Sequence, residues 1–123
     1  MLGERELVAF VGTKDPSRAR AFYRDTLGLK LTSENNFALV FDCHGVMLRV
    51  TTVPEMTPAP YTVLGWHVPD IAEAVREMTQ AGVTFERYPG LEQDAQGIWA
   101  APGGTLVAWF KDPDGNTLGI QQF

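Results

Sequence analysis

The sequence predicts an α+β fold: two tandem βαβββ modules forming a curved mixed sheet around a concave cleft, with helices on the outer face. Three observations point to it. The second half of the chain repeats the plan of the first, running strand, aspartate-opened helix, glycine-ended turn and further strands. Landmark residues recur in order: Asp15 matches Asp70, Gly28 matches Gly82, and Gly45 matches Gly115. A stretch carrying Pro54, Pro58 and Pro60 separates the two halves. A βαβββ unit carries its helix on one face of its sheet, so its other face is either covered or lines a cavity.

In the first module, residues 5–52, Val8 to Thr13 reads as a short apolar strand. Asp15 is the expected N-cap and Pro16 the first helical residue, where a missing N–H costs nothing. Ala19, Phe22, Tyr23, Thr26 and Leu27 fall at the spacing of one buried helical stripe. Gly28 is the αL stop. Strands are expected around residues 30–33, 37–42 and 46–51, with a tight turn at Cys43-His44-Gly45. Residues 53–60 read as a linker, short enough to leave 1–123 as one domain.

The second module, residues 61–123, repeats the pattern. A strand is expected over 61–68, and Asp70 caps a helix whose buried stripe is Ile71, Ala74, Val75 and Met78, ended by Gly82. Further strands are expected over 83–87, around 98–100, over 106–111 and over 117–121. In Asp112-Pro113-Asp114-Gly115-Asn116, proline sets φ and glycine takes a positive-φ position, which makes a turn. The Gly- and acid-rich segment between Arg87 and Ile98 has no counterpart in the first module, and such loops often line binding sites.

Bulk properties narrow the function classes. The chain has 123 residues and a net charge of -5, and its ten basic residues are scattered. That argues against a nucleic-acid partner, which needs clustered Lys and Arg. Cys43 is the only cysteine, which fits a reducing compartment. No segment approaches a membrane span or a signal peptide, so a cytoplasmic location is expected.

The layout resembles the vicinal oxygen chelate superfamily, which includes glyoxalase I, extradiol dioxygenases, and fosfomycin- and bleomycin-resistance proteins. In the first module the resemblance is carried by Asp15 and by Ala21-Phe22-Tyr23-Arg24-Asp25-Thr26-Leu27-Gly28-Leu29. In the second it is carried by Val68-Pro69-Asp70-Ile71 and Phe110-Lys111-Asp112-Pro113-Asp114-Gly115-Asn116. The resemblance implies metal ligands on the first and last strands of each module, usually His, Gln or Glu. Here those positions fall on Val8, Arg49, Val63 and Gly119. Valine and glycine have no donor side chain and a guanidinium does not deprotonate in proteins. A site for Zn, Ni or Fe needs at least three suitable donors. No metal and no cofactor are therefore expected.

Strand alternation assigns the remaining candidates to faces. Phe10 and Gly12, Met47, Arg49 and Thr51 share the cavity side of the first module. Gly65, His67, Thr117, Gly119, Gln121, Val107 and Trp109 share that of the second. The small residues Gly12, Gly65 and Gly119 are expected to leave room, lined by Phe10, Met47 and Trp109. Arg49 is either a clamp for a carboxylate or phosphate, or a solvated strand residue. His67 is either a general acid/base or a polar group satisfied at a strand end. Trp99, and Tyr61 and Tyr88 expected near the cleft edges, could each stack on a ligand, pack in a dimer interface or close a lid. Cys43 beside His44 reads as an inert thiol.

The first expectation is thus a metal-independent small-molecule binder, probing an anionic or aromatic ligand through Arg49, His67, Trp109, Phe10, Met47 and Trp99, and forming a homodimer. The alternative is an enzyme of the same superfamily, a lyase, isomerase or dioxygenase-like protein with an atypical site built on His67 and Arg49. A third reading is an interaction module whose apolar face another chain covers.

Overall fold

Both aspartates expected at helix starts cap them. Asp15 Oδ1 accepts a hydrogen bond from the Arg18 N–H at 3.2 Å, and Asp70 Oδ1 accepts one from the Glu73 N–H at 3.1 Å. Each satisfies a donor that a helix start leaves unpaired. The computed structural model describes residues 1–123 and divides into two units, Met1–Thr57 and Pro58–Phe123. The division falls inside the proline-bearing stretch.

The first unit runs β1 (Val8–Thr13), α1 (Pro16–Arg20), β2 (Lys30–Glu34), β3 (Ala38–Cys43) and β4 (Val46–Thr52), after a short 3-10 turn over Leu2–Glu4. Its sheet has the order β1-β4-β3-β2, with β1 parallel to β4 and the other pairs antiparallel. His44 and Gly45 join β3 to β4 with φ of 51° and 91°, the positive values that a two-residue hairpin turn of type I′ requires. Val11, Leu39, Phe41, Leu48 and Val50 are buried together with Ala19 and Tyr23. The Tyr23 and Phe41 rings lie 5.9 Å apart, and α1 contacts β3 and β4. The opposite face carries Val8, Phe10 and Met47, all exposed.

One turn of the first helix departs from the expected α-geometry. Ala21–Thr26 winds as a π-helix, and the Leu27 N–H bonds the Phe22 carbonyl at 2.9 Å. The buried stripe survives the change: Tyr23 is fully buried, with Phe22 edge-on to it at 5.2 Å.

The second unit runs β5 (Leu64–His67), α2 (Ile71–Gln80), β6 (Trp99–Ala100), β7 (Leu106–Lys111) and β8 (Thr117–Gln122). Its order is β5-β8-β7-β6, again with the first and last strands parallel. Helix α2 contacts β7 and β8 and buries Ile71 and Val75, while Phe110 and Leu118 are fully buried. Trp66 is half-buried and stacks on Phe110 at 6.3 Å. No helix is long and apolar enough to cross a membrane.

Two strand expectations need correction. The strand over 83–87 does not form; it makes only the bridge Phe85–Phe110 and a hydrogen bond from the Glu86 N–H to the Trp109 carbonyl at 2.8 Å. The ladder stops there because the Glu86 carbonyl accepts instead from the Gln93 side chain at 2.9 Å. The first strand of the module is also shorter than expected, because Tyr61, Thr62 and Val63 precede β5.

The Asp112–Asn116 turn is held by one carboxylate. Buried Asp112 accepts from the N–H groups of Asp114 and Asn116, both at 2.9 Å on Oδ1. Its Oδ2 accepts from Asn116 Nδ2 at 2.8 Å. Gly115 has φ of 87°, and a Cβ there would stand 3.2 Å from Pro58 Cγ.

Candidate functional site

Pairing register fixes which side chains share a sheet face. In the second unit Gly65 pairs with Gly119 and His67 with Gln121 across β5 and β8. Trp109 pairs with Gly119 and Val107 with Gln121 across β7 and β8, and Trp99 pairs with Val107. All of these side chains therefore project from the face away from α2. The same rule sets Phe10 beside Arg49 and Val8 beside Met47 on the open face of the first unit.

Aromatic side chains dominate the second unit's open face. Trp99 and Trp109 stack with ring centres 5.9 Å apart and planes 30° from parallel. Tyr88 stands edge-on to Trp109 at 5.4 Å and 83°, both arrangements that the ring quadrupole favours. Trp109 Nε1–H donates to Thr62 Oγ1 at 3.0 Å, which fixes the indole. Burial first, and the charge of Glu86 second, push the Tyr88 phenol above its ordinary range, so it stays a neutral donor.

Beside these rings lies a cleft of about 650 Å³, lined among others by Pro58, Pro60, Tyr61, Thr62, Tyr88, Trp109 and Lys111. Lys111 is its one cationic side chain, and no carboxylate lines it. A second groove, of about 540 Å³, runs along α2 past Val75, Thr79 and Phe85 rather than on the open face.

The loop between Arg87 and Ile98 positions part of this cluster, and Gln93 organises it. Its Oε1 accepts from the Tyr88 N–H at 2.8 Å, and its Nε2 donates to the carbonyls of Glu86 and Gly97, both at 2.9 Å. Arg87 donates to the Gln93 and Asp94 carbonyls, at 3.2 and 2.8 Å. Gln93 also bridges to Trp99 through its backbone. Sequence reasoning missed this residue, because a lone glutamine in a polar loop carries no pattern. Gln93→Ala should cost about 2 kcal/mol through three lost hydrogen bonds and the groups they leave unpaired. Hydrogen exchange would show it as lost protection of the Tyr88 amide.

The sequence candidates distribute as follows. Trp109, Trp99 and His67 are on the open face of the second unit; His67 is exposed, with its ring 5.1 Å from that of Phe123. Phe10, Met47 and Arg49 are on the open face of the first unit. Phe10 is 63% exposed, and Arg49 is half-buried with no ion pair or hydrogen bond on its guanidinium. Tyr61 and Tyr88, expected near the cleft edges, both line the aromatic cleft, and Thr62 and Lys111 join it without a sequence signal.

The room expected over the small residues is already occupied. A Cβ on Gly12 would meet Val53 Cγ2 at 3.4 Å and Met56 Sδ at 3.5 Å. Gly65 and Gly119 are both overlain by the Gln121 carboxamide, within 3.0 Å of where a Cβ would stand. Cys43 sits at a strand end, its thiol held above the ordinary range first by burial and then by Asp42.

The sequence profile of the Glyoxalase/Bleomycin resistance protein/Dioxygenase superfamily matches residues 7–120. The chain belongs to that superfamily. Solved structures of the superfamily fold align over nearly its whole length. A superfamily member from Sphaerobacter thermophilus is 24% identical, with a TM-score of 0.75, 96% of each chain being covered. The bleomycin resistance determinant encoded on transposon Tn5 is 20% identical with a TM-score of 0.74, covering 95% of this chain and 96% of that one. Lactoylglutathione lyase from Agrobacterium tumefaciens is 20% identical with a TM-score of 0.70, covering 97% and 93%. At these identities the likeness is one of fold. No curated protein matches this chain significantly.

Many members of the superfamily hold a metal, and the residues here do not fit one. Val8 and Val63 lack donors, Gly119 has no side chain, and Arg49 is a cation. Nowhere do three His, Cys, Asp or Glu side chains come together in a way that could hold an ion. His67 and Gln121, adjacent on the open face, amount to two donors where a site needs at least three.

Proposed function

We propose that this superfamily member is a metal-independent, cytoplasmic binder of small flat aromatic molecules that works as a homodimer. The observation that carries this reading is the Tyr88–Trp109–Trp99 cluster beside a cleft that offers one ammonium and no carboxylate. Such a cleft takes a ring against the indole and accommodates a negative group near Lys111. Lys111, two residues from Trp109 on β7, lines the cleft, His67 shares the same open face on β5, and Arg49, unpaired on the first unit's open face, is suited to an anionic group. The dimer is supported by the exposed Phe10, Met47 and Val8, an apolar surface of the kind that partners cover.

Two measurements test the reading. Titration with a panel of flat aromatic acids, amides and neutral rings should quench tryptophan fluorescence saturably for at least one class. A linear, unsaturable response to every compound would sink the aromatic reading. Native mass spectrometry after incubation with Zn, Ni, Mn or Fe(II) should give a dimer that retains no metal at stoichiometric level. One ion held per chain would overturn metal independence.

A further inference from the structure

We propose that Gln121 reads an amide-type group on the ligand, one that presents a hydrogen-bond donor beside an acceptor. The inference rests on the reading of the second unit's open face as an aromatic-ligand site. Gly65 and Gly119 pair across β5 and β8 and leave bare backbone on that face. A Cβ on Gly65 would stand 2.8 Å from Gln121 Oε1 and 3.0 Å from its Nε2; one on Gly119 would stand 2.8 Å from Nε2. The carboxamide therefore lies across both glycines, in space that only two side-chain-free residues leave open.

Nothing in the fold uses that carboxamide. Neither its oxygen nor its nitrogen makes a hydrogen bond, and neither is sealed from solvent. A ligand that covered it without pairing it would strand a donor and an acceptor, at a cost for each. The ligand must then complement both. A carboxylate would satisfy the NH₂ group but oppose Oε1, and an ammonium would do the reverse. An amide, lactam or imide edge satisfies both in one plane.

The neighbours favour a neutral polar group as well. Thr62 Cγ2 lies 3.6 Å from the Gly119 Cβ position, Trp109 pairs with Gly119, and Val107 and His67 pair with Gln121. No carboxylate, ammonium or guanidinium is among them. Thr62 and Trp109, which bond each other, line the cleft, and Thr62 Cγ2 and Gln121 Nε2 flank the same Gly119 position, so the carboxamide is the polar group next to the indole on this face.

The test uses the full chain and two probes of the same ring, 2-naphthamide and 2-naphthoate, titrated by calorimetry. Gln121→Leu should weaken the amide about tenfold and change the acid about twofold or less, as expected for lost neutral hydrogen bonds. Gln121→Glu keeps the shape and should also weaken the amide, and thermal melts of both variants check folding. If neither variant alters amide affinity while Trp109→Ala weakens both probes, the Gln121 proposal falls and the aromatic site stands. If the unaltered protein binds neither probe, both fall.

Discussion

Asp112→Ala should lower the thermal midpoint by about 10 °C, which corresponds to roughly 3 kcal/mol for a chain of this size. The carboxylate accepts from two backbone N–H groups and one side-chain amide within five residues. Asn116 is buried, so removing its acceptor leaves donors with no route to water. The turn also delivers Thr117 into β8, the strand that pairs with both β5 and β7. Asp112→Asn keeps an acceptor for the two N–H groups but sets a donor against Asn116 Nδ2, so its loss should be intermediate. Circular-dichroism melts of the two variants measure the order. A shift of only a degree or two for Asp112→Ala would mean that the strands, and not the turn, hold this corner.

Trp109→Ala should weaken a flat aromatic ligand about 30-fold, the magnitude of one lost stacking surface at roughly 2 kcal/mol. The substitution removes the ring that Tyr88 and Trp99 both contact and leaves Thr62 without its indole donor. Trp109→Phe keeps a ring face and loses only the N–H, so most of the affinity should survive. Calorimetric titration separates the two. Equal affinity in the original protein and in Trp109→Ala would move the ligand away from this cluster.

Much of the fold is legible in the sequence because local signals agree with one another. Asp15 and Asp70 cap, Gly45 turns, and the alternation in β1, β4, β7 and β8 assigns faces that the pairing register reproduces. The misses have physical causes. A six-residue helical turn carries too few positions to distinguish π from α periodicity, so Ala21–Thr26 reads as α. The segment 83–87 has strand composition, but the Gln93 side chain takes the Glu86 carbonyl that a neighbouring strand would need. Composition cannot register a competitor seven residues away.

The candidate site was legible by face but not by content. Trp109 and His67 follow from alternation alone, as do Phe10, Met47 and Arg49. The contribution of Tyr88 depends on the loop that Gln93 ties down, and that of Thr62 on where β5 begins. Glycine also misleads: a missing side chain suggests open space, whereas Met56 and Gln121 fold over the bare backbone. Whether a gap is filled depends on rotamers, and alternation contains none.

The parallel pairing of first strand with last within each unit has a consequence for synthesis. Every ladder of the first sheet is encoded before residue 53, and β1 must wait for β4 before it has a partner. Closing that long loop is the slow, non-local step. It can be completed on the ribosome before the second unit has emerged, because domains fold as units during translation, the N-terminal one first. The second unit must repeat the same closure from β5 to β8, the last strand of that unit. Until Thr117–Gln122 is released, β5 lacks its partner strand, so the arrival of β8 governs how long that edge stays open to wrong partners.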